Sequence, residues 1–121
     1  MDAEGLGAWG EAKAAGFLRR RGYEIIERNF SCRAGEIDII ARKKDFIVFV
    51  EVKTRKSDDY VSAREYVTRQ KQRRILDTAA LWLSRRDGEE LQPRFDVIEV
   101  YAPKGKNSLL PRIEHIEDAF C

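Results

Sequence analysis

Three charged residues in the most apolar part of the chain have the types and spacing to bind a metal ion. Residues 35–53 read G-E-I-D-I-I-A, then a polar turn, then F-I-V-F-V-E-V-K, so that Asp38, Glu51 and Lys53 interrupt two β-branched runs. Two such runs around a short charged break predict an antiparallel hairpin. Charged residues at strand positions that are usually apolar are typical of functional sites.

The spacing of Asp38 and Glu51 predicts how they meet. Side chains alternate between the faces of a strand, so the two acids share a face only if the hairpin loop has an even number of residues. Asp38 would then lie opposite Phe49, with Glu51 its diagonal neighbour at about 7–8 Å between backbones. An odd loop or a bulge would separate the acids. The even loops that we consider are residues 43–44 and residues 42–45.

Two carboxylates that converge in this way favour a cation, because buried carboxylates repel each other and are costly to bury unpaired. A site with only a few protein ligands, all of them hard oxygen atoms, suits Mg²⁺ or Mn²⁺, and these ions also bind phosphate oxygens. Lys53 could position or help deprotonate the attacking water, or stabilise charge in the transition state of phosphodiester hydrolysis. The alternative is a structural cluster of ion pairs without an ion.

A helix predicted over residues 8–21 brings a further acid to the same region. Ala14, Ala15 and Leu18 form its apolar stripe, and Glu11 begins that stripe. Glu11 is therefore expected to point inward. The alternative interpretation is an exposed first-turn acid that the helix N-terminus stabilises.

A second long helix is predicted over residues 68–86, preceded by a capping box at Ser62–Glu65 and ended by Gly88. Lys71 and Gln72 extend its apolar stripe, so one or both should face the sheet. Strands are expected at residues 23–29, in the two arms of the hairpin, and at residues 94–101 and 112–116. The order α β β β α β β predicts an α/β fold with helices packed on a sheet.

Chain length, composition and cysteine spacing exclude several classes of protein. A chain of 121 residues that is 43% hydrophobic predicts one folded domain over residues 1–121. No apolar run approaches 18 residues, so we expect no membrane span. Cys32 and Cys121 match no metal or redox spacing, and a reduced, cytoplasmic protein fits best.

Basic residues are concentrated directly after the hairpin. Residues 53–74 hold eight Lys or Arg against three acids, which favours a phosphate-bearing partner. The alternative is a solvated helix face. The predicted phosphate contacts are Arg55, Lys56, Arg69, Arg73 and Arg74.

Several motifs together resemble the YraN-like family of small bacterial proteins, which are regarded as predicted endonucleases. They are G-x-x-G-E-x-x-A from Gly7, G-E-I-D-I-I-A, F-V-E-V-K-T-R, K-Q-R-R-I and R-F-D-V. That family is placed in the PD-(D/E)xK nuclease superfamily, near archaeal Holliday-junction resolvases and the tRNA-endonuclease-like fold. The resemblance extends to about Phe120 and implies a restriction-endonuclease-like fold, with a mixed central sheet flanked by helices.

The resemblance also implies a role for each matching residue. Asp38 and Glu51 would be the two acids of the motif, Lys53 its lysine and Glu11 the first-helix acid of the resolvase branch. The sequence departs from the motif at Ile37, where a proline that is not a ligand usually stands. The resemblance implies that the backbone carbonyl of Val52 is a further ligand to the metal. It also implies that a polar residue at the start of the second helix, Lys71 or Gln72, supports the site.

These observations give three hypotheses. The first is a Mg²⁺- or Mn²⁺-dependent nuclease that acts on nucleic acid, DNA before RNA, including branched or damaged structures. The second is a nucleic-acid-binding module with a weak or inactive site, and the third is a structural protein with an ion-pair cluster. Resolvase relatives act as dimers, so a homodimer is one expectation for the assembly.

Overall fold

The computed structural model describes residues 3–56, 67–86 and 90–120, with side chains from Gly5 onward. Within these ranges the chain forms a five-stranded sheet and two α-helices in the order α β β β α β β, which confirms the predicted fold class and element order. The elements are α1 (Ala3–Arg20), β1 (Glu24–Cys32), β2 (Gly35–Lys43), β3 (Phe46–Arg55), α2 (Arg69–Ser84), β4 (Gln92–Tyr101) and β5 (Arg112–Ile116).

The strands lie side by side in sequence order, and the sheet is mixed. β1, β2 and β3 form an antiparallel meander, β4 runs parallel to β3, and β5 is antiparallel to β4. A parallel pair needs a crossover connection, and α2 lies within the one between β3 and β4. The carboxyl ends of β3 and β4 therefore meet at one end of the sheet.

The two helices cover opposite faces of the sheet. Val48 and Val50 pack in the layer that contains α1, whereas Ile47 and Phe49 pack in the layer that contains α2. A strand that is buried on both faces reads as a continuous apolar run, which explains the sequence of β3 before Glu51. Each fully buried side chain of this kind contributes about 1.5–3 kcal/mol.

Helix α1 buries the predicted stripe. Ala14, Ala15 and Leu18 are fully buried, and the helix ends before Gly22, whose φ of 89° suits a glycine after a helix end. The helix begins at Ala3, five residues before the predicted start. Gly10 is buried against Thr54, and a Cβ at this position would overlap the threonine side chain.

The β2–β3 hairpin confirms one part of the prediction and corrects another. Its loop has two residues, Lys44–Asp45, so the even number is confirmed, but neither of the two loops considered, residues 43–44 or residues 42–45, is the one that forms. The predicted register is wrong by two residues, because Phe49 pairs with Ile40 rather than with Asp38. The strands continue as far as the Lys43–Phe46 pair, with Lys44 at a φ of 55°. A register shift of two residues leaves the side chains of the paired residues on their predicted faces.

Two further boundaries differ from the prediction. Strand β1 continues to Cys32, beyond the predicted end at residue 29, so that only residues 33–34 form the turn before β2. Helix α2 begins at Arg69, and the Thr68 hydroxyl caps it by accepting a hydrogen bond from the Lys71 amide (3.2 Å). The predicted capping box at residues 62–65 and the predicted end at Gly88 lie outside the described residues.

A buried ion pair connects β4, β5 and the residue that precedes β1. Asp96 is fully buried and accepts hydrogen bonds from Arg94 (2.8 and 2.9 Å) and from the backbone of Asp118 (3.0 Å), and it lies 2.7 Å from His115 Nε2. Arg94 also donates to the Tyr23 hydroxyl (2.6 Å). These partners satisfy Asp96, and the His115 side chain is packed against it, 9% exposed.

None of the helices in the described ranges combines the length and the apolar composition needed to cross a bilayer.

Candidate metal and phosphate site

Asp38 and Glu51 meet at the end of the sheet where the β2–β3 ladder stops. The last pair of that ladder is Ile39–Val50, and beyond it Asp38 Oδ2 accepts a hydrogen bond from the Val52 amide (2.7 Å). Glu51 Oε2 lies 2.6 Å from Lys71 Nζ of α2. The acids open into a cleft of about 490 Å³ lined by Gly35, Glu36, Asp38, Glu51, Thr68, Gln70, Lys71, Arg74 and Ile75.

The backbone of Val52 is directed toward the same opening. The amide and carbonyl of one strand residue point to the same side of the strand, and the Val52 amide points toward Asp38. The Val52 carbonyl therefore also points toward β2, at a level that the β2–β3 ladder does not reach. This geometry makes the carbonyl oxygen available as a ligand beside the two carboxylates.

Asp38 is the most perturbed group of the cleft. Burial and the nearby charge of Glu51 raise its pKa to about 7, although the hydrogen bond from Val52 acts in the opposite direction. The charges of Glu11 and Glu36 contribute to the same rise. The site therefore crowds negative charge around a buried carboxyl group, which is the condition that a divalent cation relieves.

Two lysines border the acids. Burial and the neighbouring charge of Lys71 lower the pKa of Lys53, and the attraction of Glu51 and Asp38 only partly offsets them. For Lys71, burial acts to lower the pKa, but contacts with Glu51 and Lys53 outweigh it and raise the pKa. Lys71 thus acts as the internal counter-ion of Glu51.

Glu11 approaches the cluster from the α1 side of the sheet. Its side chain is 18% exposed, and Oε1 lies 3.9 Å from Arg28 Nη2. Burial raises its pKa, Arg28 and a hydrogen bond with Asn29 lower it, and Glu36 and Glu51 raise it again. Its helical phase brings Glu11 near enough to raise the pKa of Asp38.

Of the two polar residues predicted to support the site, the structure brings only Lys71 to the acids. Gln72 Nε2 donates to the Val67 carbonyl (3.0 Å), so its side chain fastens the start of α2 to the preceding backbone. Gln72 lines a neighbouring shallow cleft of about 620 Å³ on α2 instead.

The basic residues predicted to contact phosphate divide into an exposed group and one buried exception. Arg69, Arg73 and Arg74 are exposed on α2. Arg74 lines the acid-bearing cleft, and Arg69 and Arg73 line the neighbouring shallow cleft. Lys56 is exposed after β3, and its Cε lies close to Gly105.

Arg55 is the exception. Its side chain is 11% exposed, and Nη1 lies 3.1 Å from Glu99 Oε2 and 3.2 Å from the Tyr101 hydroxyl. Glu99 is 2% exposed and needs a cationic partner, because an unpaired buried carboxylate is costly. Arg55 therefore forms an internal ion pair, and the structure gives no support to the predicted phosphate contact by this residue.

Two residues of this region were not singled out from the sequence. Glu36 lines the cleft and adds to the negative charge around Asp38. Alternation along β2 places Glu36 on the same face as Asp38, so strand periodicity could have identified it. Asn29 hydrogen-bonds Glu11 from β1 with a φ of 55°, and no pattern in the sequence indicates that conformation.

The donors of the cleft fit a hard cation that keeps most of its waters. Among residues 3–56, 67–86 and 90–120, no three His, Cys, Asp or Glu side chains lie close enough together to hold a metal. Two carboxylates and one carbonyl are nevertheless the kind of sparse set that Mg²⁺ uses, since it retains several waters beside one or two carboxylates. Burial and the negative charge of Glu51 raise the pKa of Asp38, and such an ion would neutralise that charge.

Comparison with known proteins places the chain in a family. The model of the uncharacterised protein family UPF0102 matches residues 10–100. A UPF0102 protein of Geotalea daltonii is 46% identical over 98% of this chain and 91% of its own length. Those of Caldicellulosiruptor saccharolyticus and Nocardia farcinica are both 45% identical, over 99% and 98% of this chain and 100% and 91% of their own lengths. The chain therefore belongs to the uncharacterised protein family UPF0102.

Proposed function

We propose that the protein is a Mg²⁺- or Mn²⁺-dependent nuclease that hydrolyses phosphodiester bonds of nucleic acid, with DNA as the preferred substrate. The observation that carries the proposal is the convergence of Asp38 and Glu51, with Lys53 and Lys71 beside them, in a cleft at the end of the sheet. A purely structural acid would be expected to have its charge matched, as that of Asp96 is. Asp38 instead has a pKa raised toward neutrality.

The metal would be held by the Asp38 and Glu51 carboxylates and the Val52 carbonyl, with Glu11 assisting from α1. When bound, the ion supplies Lewis-acid polarisation of a phosphoryl oxygen. Asp38 and Glu51 would neutralise the ion, and Asp38 would remain attached to the β3 backbone through the Val52 amide.

The lysines and arginines would act on the phosphodiester. Lys53 has a lowered pKa, so its amine can exchange a proton with the attacking water more readily than an exposed lysine can. Lys71 would move from Glu51 to the substrate phosphate. Arg74 lines the same cleft and would hold the backbone there, while Arg69 and Arg73 would contact the next phosphates along α2.

The test is metal-dependent cleavage of single-stranded, duplex and four-way-junction DNA, and of RNA, by the wild type and by Asp38→Asn and Lys53→Met. Matched controls are Asp45→Asn and Lys44→Met, which remove the same charges from the exposed hairpin loop. We expect cleavage with Mn²⁺ or Mg²⁺, none in EDTA, and loss of at least 100-fold in the two site variants. Equal cleavage by the site variants and the controls would refute the assignment.

A second candidate function is a nucleic-acid-binding module that uses the site weakly or not at all. The contact that favours it is the 2.6 Å ion pair between Lys71 and Glu51, because this pair already gives Glu51 a counter-charge. This candidate predicts binding that persists in EDTA, weakens steeply with salt and brings no cleavage. The same substrates, measured for binding and for cleavage in parallel, separate the two functions.

A further inference from the structure

Asn29 has a backbone conformation that a strand residue rarely adopts. It lies within β1, yet its φ is 55°. Side chains other than glycine reach this left-handed region at a cost, and asparagine is among those that tolerate it best. Such conformations persist where the surrounding contacts hold them, and they occur preferentially at functional sites.

The register of the sheet places Asn29 next to the candidate site. The β1–β2 pairs on either side of it are regular, and they put Asn29 opposite Asp38. Neither residue forms a pair in the β1–β2 ladder, and Asp38 also lies beyond the last pair of the β2–β3 ladder. The sheet is therefore interrupted at Asp38 on both sides, and the left-handed residue lies at one of the two interruptions.

The side chain of Asn29 reaches the acid on the opposite side of the sheet. Consecutive strand residues normally point to opposite faces. Arg28 and Asn29 nevertheless both contact Glu11, Arg28 through an ion pair at 3.9 Å and Asn29 through a side-chain hydrogen bond. A left-handed residue changes the direction of the chain, so the conformation of Asn29 accounts for this convergence. Glu11 is thus held on two sides.

We infer that Asn29 is a positioning residue of the candidate site, which aims the Glu11 carboxylate at the cluster of Asp38 and Glu51 through its side-chain amide and its left-handed backbone. The inference deepens the proposed function and rests on it for the role of the metal. The hydrogen bond itself does not depend on that function. Asn29 does not touch the reacting atoms, and it acts only through Glu11.

The experiment is a double-mutant cycle between Asn29→Gly and Glu11→Ala. Glycine keeps the left-handed backbone and removes only the amide, and Glu11→Ala removes the carboxylate that accepts its hydrogen bond. Mn²⁺ affinity is measured by titration calorimetry at pH 8, and urea midpoints are measured in EDTA. We expect Asn29→Gly to weaken Mn²⁺ binding roughly 10-fold in the wild-type background, the range seen for residues that orient metal ligands. In the Glu11→Ala background it should have no further effect. Asn29→Ala should bind Mn²⁺ as Asn29→Gly does but unfold at lower urea.

Equal weakening by Asn29→Gly in both backgrounds, or no weakening in either, would overturn the inference, because a general structural role does not depend on Glu11. Should the wild type bind no Mn²⁺, the proposed function fails in its metal, and the urea cycle decides the inference alone. Midpoint shifts of Asn29→Gly and Glu11→Ala that are less than additive would then support the contact, and additive shifts would refute it.

Discussion

The raised pKa of Asp38 predicts that the metal-free protein loses stability as the pH rises from 5 to 8. Folding moves this pKa from 3.8 to about 7. The native state therefore retains a proton that the unfolded chain has already released, and stability falls with pH across that interval. Burial also raises the pKa of Glu11, so its contribution has the same sign. Asp96, whose buried carboxyl has a lowered pKa despite desolvation, contributes at lower pH with the opposite sign.

The size of the effect follows from the shift. Each pKa unit is worth about 1.4 kcal/mol, and the full slope applies up to the folded pKa. Between pH 5 and pH 8 the Asp38 carboxyl alone should lower the free energy of unfolding by about 3 kcal/mol. This is a large part of the total stability of a small domain, which is about 5–15 kcal/mol.

The variant Asp38→Asn tests this pH dependence, because it keeps an oxygen that accepts the hydrogen bond from the Val52 amide and removes the titrating carboxyl group. Urea unfolding in EDTA at pH 5, 6, 7 and 8 gives the free energy of unfolding of the wild type, Asp38→Asn and the loop control Asp45→Asn. We expect a downward slope for the wild type and the control and a flatter profile for Asp38→Asn, with the variant the more stable at pH 8. Adding Mn²⁺ at pH 8 should stabilise the wild type and leave Asp38→Asn nearly unchanged.

A wild-type stability that stays flat or rises between pH 5 and pH 8 would refute the reasoning, since it would mean that Asp38 is ionised without cost in the native state. A falling profile that is identical in Asp38→Asn would place the titrating group elsewhere. If the free energy of unfolding falls with pH as expected but Mn²⁺ does not stabilise the wild type, the raised pKa of Asp38 is supported and metal binding in the cleft is contradicted.

Two further predictions use matched variants. In α1, Gly10→Ala should destabilise the fold by about 1–3 kcal/mol, because the added Cβ would lie 2.9 Å from Thr54 Cβ and overlap the threonine hydroxyl. The control Gly7→Ala, whose added Cβ would meet no neighbouring side chain within 4 Å, should stabilise the fold by up to about 1 kcal/mol. Equal effects of the two changes on the unfolding midpoint would contradict the close packing of α1. Arg55→Met should cost about 3–5 kcal/mol, because it leaves the buried Glu99 carboxylate without its cationic partner. Arg73→Ala should leave stability nearly unchanged and lower the salt slope of DNA binding by about 1, and the reverse pattern would exchange the roles of these two arginines.

The parts of the site that the sequence predicts are those that periodicity controls. Strand alternation places Asp38 and Glu51 on one face, and a register error of two residues does not change that result. Helical phase likewise turns Glu11 inward along the stripe of Ala14 and Leu18. Both inferences need only the period of the element and the parity of the hairpin loop.

The parts that the sequence does not predict depend on turn geometry and on contacts between distant residues. The hairpin loop contains no glycine or asparagine that would indicate its turn type, so the sequence does not distinguish between strand registers that differ by two residues. The ion pair of Arg55 with Glu99 joins residues 44 positions apart, and it removes a basic residue from the predicted phosphate surface. Local patterns give the charge of Arg55 but not the buried partner that neutralises it.

The ion pair of Lys71 with Glu51 explains how two buried acids can lie side by side in the cleft without a bound cation. Glu51 is 10% exposed and Asp38 lies beside it, so two ionised carboxylates here would face both desolvation and mutual repulsion. The fold relieves this in two ways: Lys71 neutralises Glu51 across 2.6 Å, and Asp38 keeps its proton to about pH 7. A divalent ion would have to displace both the ammonium and the proton. Metal binding should therefore strengthen with pH through that range and release Lys71, at the same step, toward whichever phosphate enters the cleft.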